Sequence, residues 1–177
     1  INAALTGQLV LSTLHTNSGA GALPRLLDMQ TEPFLIASTV NLITAQRLVR
    51  TLCEEKEEYT LSAAELASLG KEVDFKRILE VLKREKVIPD RATIENIPWV
   101  RPKKTHECPD GYKGRIGIHE TLEVSPAVRE LIVRHATSDE IEVQARKEGM
   151  ATMLEDGFIK AAEHITTIEE VLRVTSE

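Results

Sequence analysis

Aromatic residues, cysteines and long apolar runs are all scarce in this sequence of 177 residues. Because aromatic residues make up only 3% of the chain, its core must be built mainly from aliphatic side chains. No apolar run approaches the ~20 residues that a membrane-spanning helix needs, which argues against a direct membrane span. Two cysteines, Cys53 and Cys108, are too few for a disulfide framework.

An excess of basic residues is missing as well. The chain holds 28 Asp and Glu against 22 Lys and Arg, which gives a formal net charge of -6. This balance argues against nucleic acid as the main partner and against a polybasic membrane patch, since both need a basic surface. No charged-then-apolar leader follows Ile1. We therefore expect a cytoplasmic, reducing setting and, because the first residue is not Met, a piece of a longer protein.

The first 50 residues suggest one strand and two helices. Residues 8–14 (QLVLSTL) are mostly apolar and short, which predicts a strand buried on both faces, as in a parallel sheet. A helix is predicted over about 18–29, with its regular part starting near Gly21 because Pro24 conflicts with an earlier start. Pro33 at a first-turn position predicts a second helix over roughly 33–49.

The middle and the rear of the chain differ in composition. Residues 54–110 begin with a solvated charge run, and helices are predicted near 62–69 and 73–86, so this part reads as an insertion or subdomain. The alternation of apolar residues predicts a strand over 115–124. Capping residues then predict helices over 126–135, 139–148, 153–163 and 167–174.

Polar side chains cluster at the end of the first predicted strand. They are Ser12, Thr13, His15, Thr16 and Asn17. The carboxyl ends of parallel strands are where ligands bind in open sheets, and hydroxyl and imidazole groups donate hydrogen bonds to oxyanions such as phosphate. The alternative is a strand end whose polar groups only satisfy the backbone and cap the next helix.

Several motifs stand in a fixed order along the chain. Residues 6–17 read TGQLVLSTLHTN and are followed by RLLDM, a Pro-Phe-Leu-Ile helix and AQRLVRTLC. Further on come GYKGRIGIHETLEV, EGMATMLEDGFIKA and TTIEEVLRVTSE. Together they resemble the motor ATPases of bacterial type II secretion and type IV pilus assembly, whose histidine box ends in STLHTN. The resemblance covers about 120 of the 177 residues and skips the charged middle.

The resemblance implies an α/β fold: the C-terminal part of a RecA-like P-loop ATPase core, with a helical, normally zinc-binding insertion and a C-terminal helical region. It implies ATP and Mg²⁺ as ligands of the intact parent. The implied partners are the other subunits of a hexameric ring, the inner-membrane platform and cytoplasmic secretion or pilus assembly proteins. The implied location is the cytoplasm, peripheral to the bacterial inner membrane.

Site residues are carried over position by position. Ser12, Thr13 and His15 match the box to which the family assigns sensing of the terminal phosphate or a place at the subunit interface. Where the family usually has a second histidine, this chain has Gln8, so the resemblance does not carry over a two-histidine mechanism. Arg47 is a candidate for reaching a phosphate or a neighbouring subunit, although surface arginines more often pair with carboxylates.

The cysteines match half of a family motif. Family members often carry two CxxC pairs that form a tetrahedral zinc site. Here the pairs read CEEK and THEC, so each keeps one cysteine and a four-thiolate site is excluded. Cys53, Cys108 and His106 can still form a degenerate site with a fourth ligand. The alternative, which we favour, is that zinc is lost and ordinary packing replaces it.

The sequence therefore predicts a C-terminal fragment of a hexameric motor ATPase that powers type IV pilus assembly or type II secretion. The alternative is a non-enzymatic oligomerisation and docking module. No GxxxxGK[ST] loop and no apolar strand ending in an acidic Mg²⁺ ligand occur, so we expect no hydrolysis by this chain alone. The predicted domains are a core remnant over 1–53, a charged helical insertion with a degenerate zinc subdomain over 54–110, and a strand plus helical region over 111–177.

Overall fold

The structure is a computed structural model that describes residues 1–176. Its helices are α1 Asn2–Leu5, α2 Ala22–Asp28, α3 Pro33–Thr39, α4 Ala63–Leu69, α5 Phe75–Arg84, α6 Pro126–Val133, α7 Ser138–Lys147, α8 Met153–Ala162 and α9 Ile168–Thr175. Its strands are β1 Leu42–Leu52, β2 Lys56–Tyr59, β3 Trp99–Pro102 and β4 Tyr112–Glu123, and a short 3-10 helix spans Ile94–Asn96. Helices mixed with small sheets fit the predicted α/β class.

Helix starts follow the capping residues. Five helices begin after a residue whose side chain accepts a backbone N–H of the first turn: Ser62, Asp74, Ser125, Thr137 and Thr167. Such caps satisfy donors that the first turn otherwise leaves without a partner. The six helices predicted from residue 62 onward are confirmed, each end within two residues of its predicted position. The helix predicted to start near Gly21 is confirmed too, as α2.

The helix predicted over 33–49 is wrong in its second half. α3 begins at Pro33 as predicted, but it ends at Thr39, and Val40 already has extended backbone angles (φ -81°, ψ 123°). The chain then continues as β1, which pairs with β4. The β-branched Thr39 and Val40 favour this change, and pairing with β4 supplies backbone hydrogen bonds to the extended chain.

The buried strand predicted over 8–14 is not formed. These residues have no regular structure and lie in solvent, with Leu9 90% and Leu11 88% exposed. A strand that is buried on both faces needs a neighbouring strand on each edge and cover on each face. No strand in the described part of the chain pairs with this segment, which is the physical reason for the difference.

Two small sheets are present in the described residues. In the first, Val124 N–H donates to Asn41 O at one end of β1 and β4, and Cys53 N–H donates to Gly111 O at the other, so the two strands are antiparallel. In the second, β2 and β3 are antiparallel, from Lys56 opposite Pro102 to Tyr59 opposite Trp99. This pair was missed in the region predicted as helical, because the letters KEEY suggest only a charge run.

The chain divides into two compact units. The first contains Ile1–Ala45 and Glu120–Thr152, and the second contains Gln46–His119 and the segment that starts at Met153. The predicted division at residues 53 and 110 remains a prediction about domains. No helix in the described part of the chain is long and apolar enough to span a membrane.

Each unit has its own aliphatic core. The first packs α2, α3, α6 and α7 around buried residues that include Leu23, Ile36, Leu122, Val128 and Ile132. The second packs α5, α8 and α9 around Trp99 and Phe158, whose rings meet edge to face with centroids 5.8 Å apart. An edge-to-face pair of this kind adds to the free energy gained by burial alone. Two of the few aromatic residues therefore lie at the centre of the second core.

We expect Leu122→Ala to lower the free energy of unfolding by about 2–5 kcal/mol, because Leu122 is 0% exposed and truncation leaves a cavity in the first core. The matched control is Leu42→Ala, since Leu42 is 59% exposed and should change stability by less than ~1 kcal/mol. Urea unfolding followed by circular dichroism measures both. Equal losses in the two variants would contradict the position of Leu122 in the core.

Candidate functional site

The polar tip predicted from the sequence lies on an exposed, irregular segment of the first unit. Ser12, Thr13 and His15 all face solvent there. Their hydroxyl and imidazole groups are the kinds of donor that bind phosphate oxygens. The segment therefore exposes these donor groups without the strand that was expected to carry them, and their role remains a prediction.

The turn after this segment is ordered by its own hydrogen bonds. Thr16 Oγ1 donates to Ser18 O at 3.0 Å, and Ser18 Oγ accepts the N–H of Gly21 at 3.1 Å, immediately before α2. The alternative in which polar groups satisfy the backbone therefore holds for Thr16 and Ser18. We call residues 16–21 the anchor turn. It fixes the chain directly after His15.

A carboxylate that sequence reasoning missed lies against the anchor turn. Glu120 on β4 is 7% exposed, and its Oε1 accepts the N–H of Gly19 at 2.6 Å. The alternation along β4 contained the signal, because Glu120 occupies the inward position between Ile118 and Leu122, both 0% exposed. A charged residue at an inward position needs a partner, since an unpaired buried charge is costly.

Arg47, the candidate phosphate ligand named from the sequence, is engaged inside the second unit. Arg47, on β1, donates through Nη1 to the carbonyl oxygen of Val174, near the end of α9. Arg50, three residues on, forms an ion pair with Glu170. Arg47 thus belongs to the second unit, whereas Ser12, Thr13 and His15 belong to the first. A phosphate-binding role for Arg47 remains a prediction.

Glu170 is the centre of a charged cluster that sequence reasoning also missed. Its carboxylate pairs with Arg50 and accepts two hydrogen bonds from Arg173 at 3.0 Å, and the backbone N–H of Arg50 donates to it at 3.1 Å. Burial by itself would raise the pKa of Glu170, but the hydrogen bonds from Arg50 and Arg173 outweigh it and lower the pKa to about 2. The cluster ties the first turns of α9 to β1.

Tyr112 packs beside this cluster. The Arg50 guanidinium lies 4.1 Å from the centre of the Tyr112 ring, and the Tyr112 hydroxyl is 3.0 Å from Thr167 Oγ1. Burial raises the pKa of Tyr112. The neutral phenol therefore packs under a guanidinium, which is a favourable cation–π arrangement.

Cys53 and Cys108 form a disulfide, contrary to the expectation drawn from the cysteine count. Their Cα atoms are 6.7 Å apart, although 55 positions separate them in sequence. The antiparallel pairing explains this closeness, because the N–H of Cys53, just after β1, donates to the carbonyl oxygen of Gly111, just before β4. The number of residues between the two cysteines does not reveal the register of the two strands, so the sequence alone could not predict this disulfide.

The predicted ligands do not fit zinc in this form of the chain. A disulfide leaves neither Cys53 nor Cys108 as the thiolate that zinc binds, and His106 is exposed. Among residues 1–176 no group of three or more His, Cys, Asp and Glu side chains could hold a metal ion. Magnesium therefore finds no acidic ligand cluster in the described residues either. For the reduced chain, the loss of zinc remains a prediction.

The known proteins to which this chain is similar belong to bacterial secretion and pilus assembly systems. The family model described as "Type II/IV secretion system protein" matches residues 1–173. The chain is 46% identical to the type II secretion system protein E of Xanthomonas campestris and 42% identical to the type II secretion system ATPase E of Vibrio cholerae. It is 41% identical to the type IV pilus assembly ATPase PilB of Pseudomonas aeruginosa.

These alignments cover all of this chain but only part of each relative. They include 100% of the chain in all three cases, and 28%, 31% and 28% of the Xanthomonas, Vibrio and Pseudomonas proteins, respectively. The chain therefore spans less than a third of the length of these relatives. Since the match extends through residues 54–110, it also includes the charged middle that the sequence motifs skipped.

The Glu170 cluster predicts a pH dependence of stability. Because the pKa of the Glu170 carboxyl is about 2 when folded and near 4.5 when unfolded, the cluster stabilises the fold fully above pH ~5 and loses this contribution as the pH falls towards 2. We expect a loss of about 1–3 kcal/mol, less than the full pKa shift implies, because the Arg50 and Arg173 side chains are 44% and 54% exposed and solvent screens their charges. Urea unfolding between pH 7 and pH 2 measures it.

Glu170→Gln should be less stable than the parent at pH 7 and should lack this part of the pH dependence. Glu169→Gln is the matched control, because Glu169 is exposed on the same turn of α9. A Glu170→Gln profile that is parallel to the parent profile over the whole range would contradict the assignment.

The disulfide predicts a redox-dependent stability. Closing a loop between Cys53 and Cys108 restricts the unfolded chain, so reduction should lower the free energy of unfolding by about 2–4 kcal/mol. Cys53→Ser should show the same loss and no further response to reductant. An unchanged unfolding midpoint in dithiothreitol would contradict the pairing.

The predicted loss of zinc is tested by elemental analysis of the chain purified in the presence of reductant. We expect little bound zinc, and more than about half an equivalent of zinc per chain would contradict the prediction.

Proposed function

Because the chain belongs to the type II/IV secretion system protein family, we propose that it is the C-terminal part of a hexameric motor ATPase. In this proposal the complete protein powers type IV pilus assembly or type II protein secretion by ATP hydrolysis. The observation that carries the proposal is the match of the whole chain to a type IV pilus assembly ATPase and a type II secretion system ATPase.

The proposal gives residues 8–14 a structural role. In the complete protein they form a central strand of a RecA-like core. Such a strand is buried on both faces, which explains why the segment contains Leu9 and Leu11 and no charged residue. In the present chain both side chains are almost fully exposed. Such apolar surface is normally covered in a folded protein, and neighbouring strands from the rest of the protein would cover it.

Ser12, Thr13 and His15 are then the groups that contact the substrate. Their hydroxyl and imidazole hydrogens donate to oxygens of the terminal phosphate of ATP, whose negative charge they can sense. Gln8 replaces a family histidine in this chain, so the sensing role falls on His15. The segment lies next to the anchor turn, which limits how far His15 can move.

This chain by itself does not complete an ATP site. The 177 residues contain no GxxxxGK[ST] loop, so the backbone cradle for the β- and γ-phosphates is not among them. The described residues also offer no acidic cluster for magnesium. Since positioning and charge stabilisation of the phosphates supply most of the catalysis in such sites, hydrolysis needs the rest of the protein.

The second candidate is a non-enzymatic oligomerisation and docking module. The lack of a phosphate loop in these 177 residues favours it. In both proposals the partners are the other subunits of the ring, the inner-membrane platform and the cytoplasmic assembly proteins, at the cytoplasmic face of the inner membrane. The two candidates differ in the coding sequence upstream of Ile1, where only the motor needs a phosphate loop.

We expect the purified chain to release no phosphate from ATP above background in a Mg²⁺-containing assay, and the longer gene product to hydrolyse ATP. In the longer product, His15→Ala should lower kcat by about 10–100-fold, because a donor to the developing phosphate charge is lost. His106→Ala, at an exposed histidine of the charged middle, is the matched control. Turnover by the chain alone, or full activity of His15→Ala, would refute the proposal.

A further inference from the structure

We propose that Glu120 is a positioning residue that holds the segment of Ser12, Thr13 and His15 for sensing of the terminal phosphate. This inference rests on the proposed function. It assigns a role to a residue on β4, more than 100 positions away in sequence from the segment on which it acts.

The contact is short and shielded from water. Glu120 Oε1 accepts the N–H of Gly19 at 2.6 Å, and Glu120 is 7% exposed. Gly19 is itself buried at its position in the anchor turn. A hydrogen bond to a carboxylate in such surroundings is stronger than one between neutral groups. Glu120 thus gives the turn a fixed attachment to a strand.

The Glu120 carboxylate lies close to the backbone at Gly19. A Cβ added to Gly19 would lie 3.4 Å from Glu120 Oε1 and 3.7 Å from Ile43 Cγ2. The carboxylate therefore packs directly against the backbone of the turn, with a side chain of the first core on its other flank.

Among the described residues, three hydrogen bonds that involve a side chain act on the anchor turn. Thr16 Oγ1 donates to Ser18 O, Gly19 N–H donates to Glu120, and Gly21 N–H donates to Ser18 Oγ. The first and third join residues within the turn. The bond to Glu120 ties the turn to a distant part of the chain. His15 directly precedes the turn, so the attachment at Gly19 restricts the space that the His15 side chain can sample.

The restriction matters because preorganised donors need no reorientation when charge develops on the phosphate. If Glu120 is removed, the donors remain, but the anchor turn that directly follows them is released. The expected signature is a loss of kcat with little change in KM, because substrate binding rests mainly on groups outside this segment. A purely structural role would instead lower the stability of the whole first unit.

The first experiment uses the chain alone. In Glu120→Leu, amide hydrogen exchange at Gly19, followed by NMR, should be faster by at least about tenfold. Exchange at the core residues Ile132 and Ala145 should stay within about twofold of the parent. Glu120→Gln keeps an acceptor oxygen and should stay within about threefold at Gly19. The control is Glu123→Leu, which removes an exposed carboxylate from the same strand.

Two results of this experiment would overturn the inference. One is unchanged exchange at Gly19 in Glu120→Leu. The other is faster exchange at Gly19 that Ile132 and Ala145 share equally, since that result shows general unfolding of the first unit. If Glu120→Leu does not fold, Glu120→Ala is measured instead and decides by the same criterion, with exchange at Gly19 expected to be faster by at least about tenfold.

The second experiment uses the longer gene product. Glu120→Leu should lower kcat by about tenfold with KM for ATP within about twofold, and Glu120→Gln should recover most of the activity. If His15→Ala lowers kcat but Glu120→Leu does not, the inference about Glu120 fails and the proposed function stands. If His15→Ala has no effect, the proposed sensing role itself fails, whatever Glu120→Leu shows.

Discussion

The antiparallel pairing of β1 with β4 is the constraint on which the rest of the structure depends. It brings Asn41 to Val124 in the first unit and Cys53 to Gly111 in the second. Both compact units include part of each strand, so neither core is assembled from one continuous stretch of chain. The same pairing converts the segment after Thr39 from helix to strand. It also places two distant cysteines within reach of each other.

Local signals in the sequence predicted the helices well and long-range effects poorly. Ser125, Thr137 and Thr167 mark helix starts by chemistry that acts within three or four residues, which a sequence displays directly. The strand character of β1 was missed because its partner lies about 70 positions away and its apolar residues also fit a helix. The disulfide depends on the register of that same pair, and no spacing rule contains the register.

The candidate site divides in the same way. Its donors, Ser12, Thr13 and His15, were found from residue type and order, but the strand predicted to carry them is not formed. Glu120 was visible as a carboxylate at an inward position of a predicted strand. Its partner could not be predicted, because it is a backbone N–H, which nearly every residue has. Glu170 gave less warning still, because an acidic residue in a first helical turn is ordinary.

The exposed segment over residues 8–14 affects how the isolated chain behaves in concentrated solution. QLVLSTL carries no charge, no proline and no glycine, and its backbone groups have no ladder partner among the described residues. Stretches of this composition are templates for cross-β stacking between molecules. Aggregation of the isolated chain should therefore grow with concentration and time, and a charged gatekeeper beside Leu9 or Leu11 would slow it without touching either core.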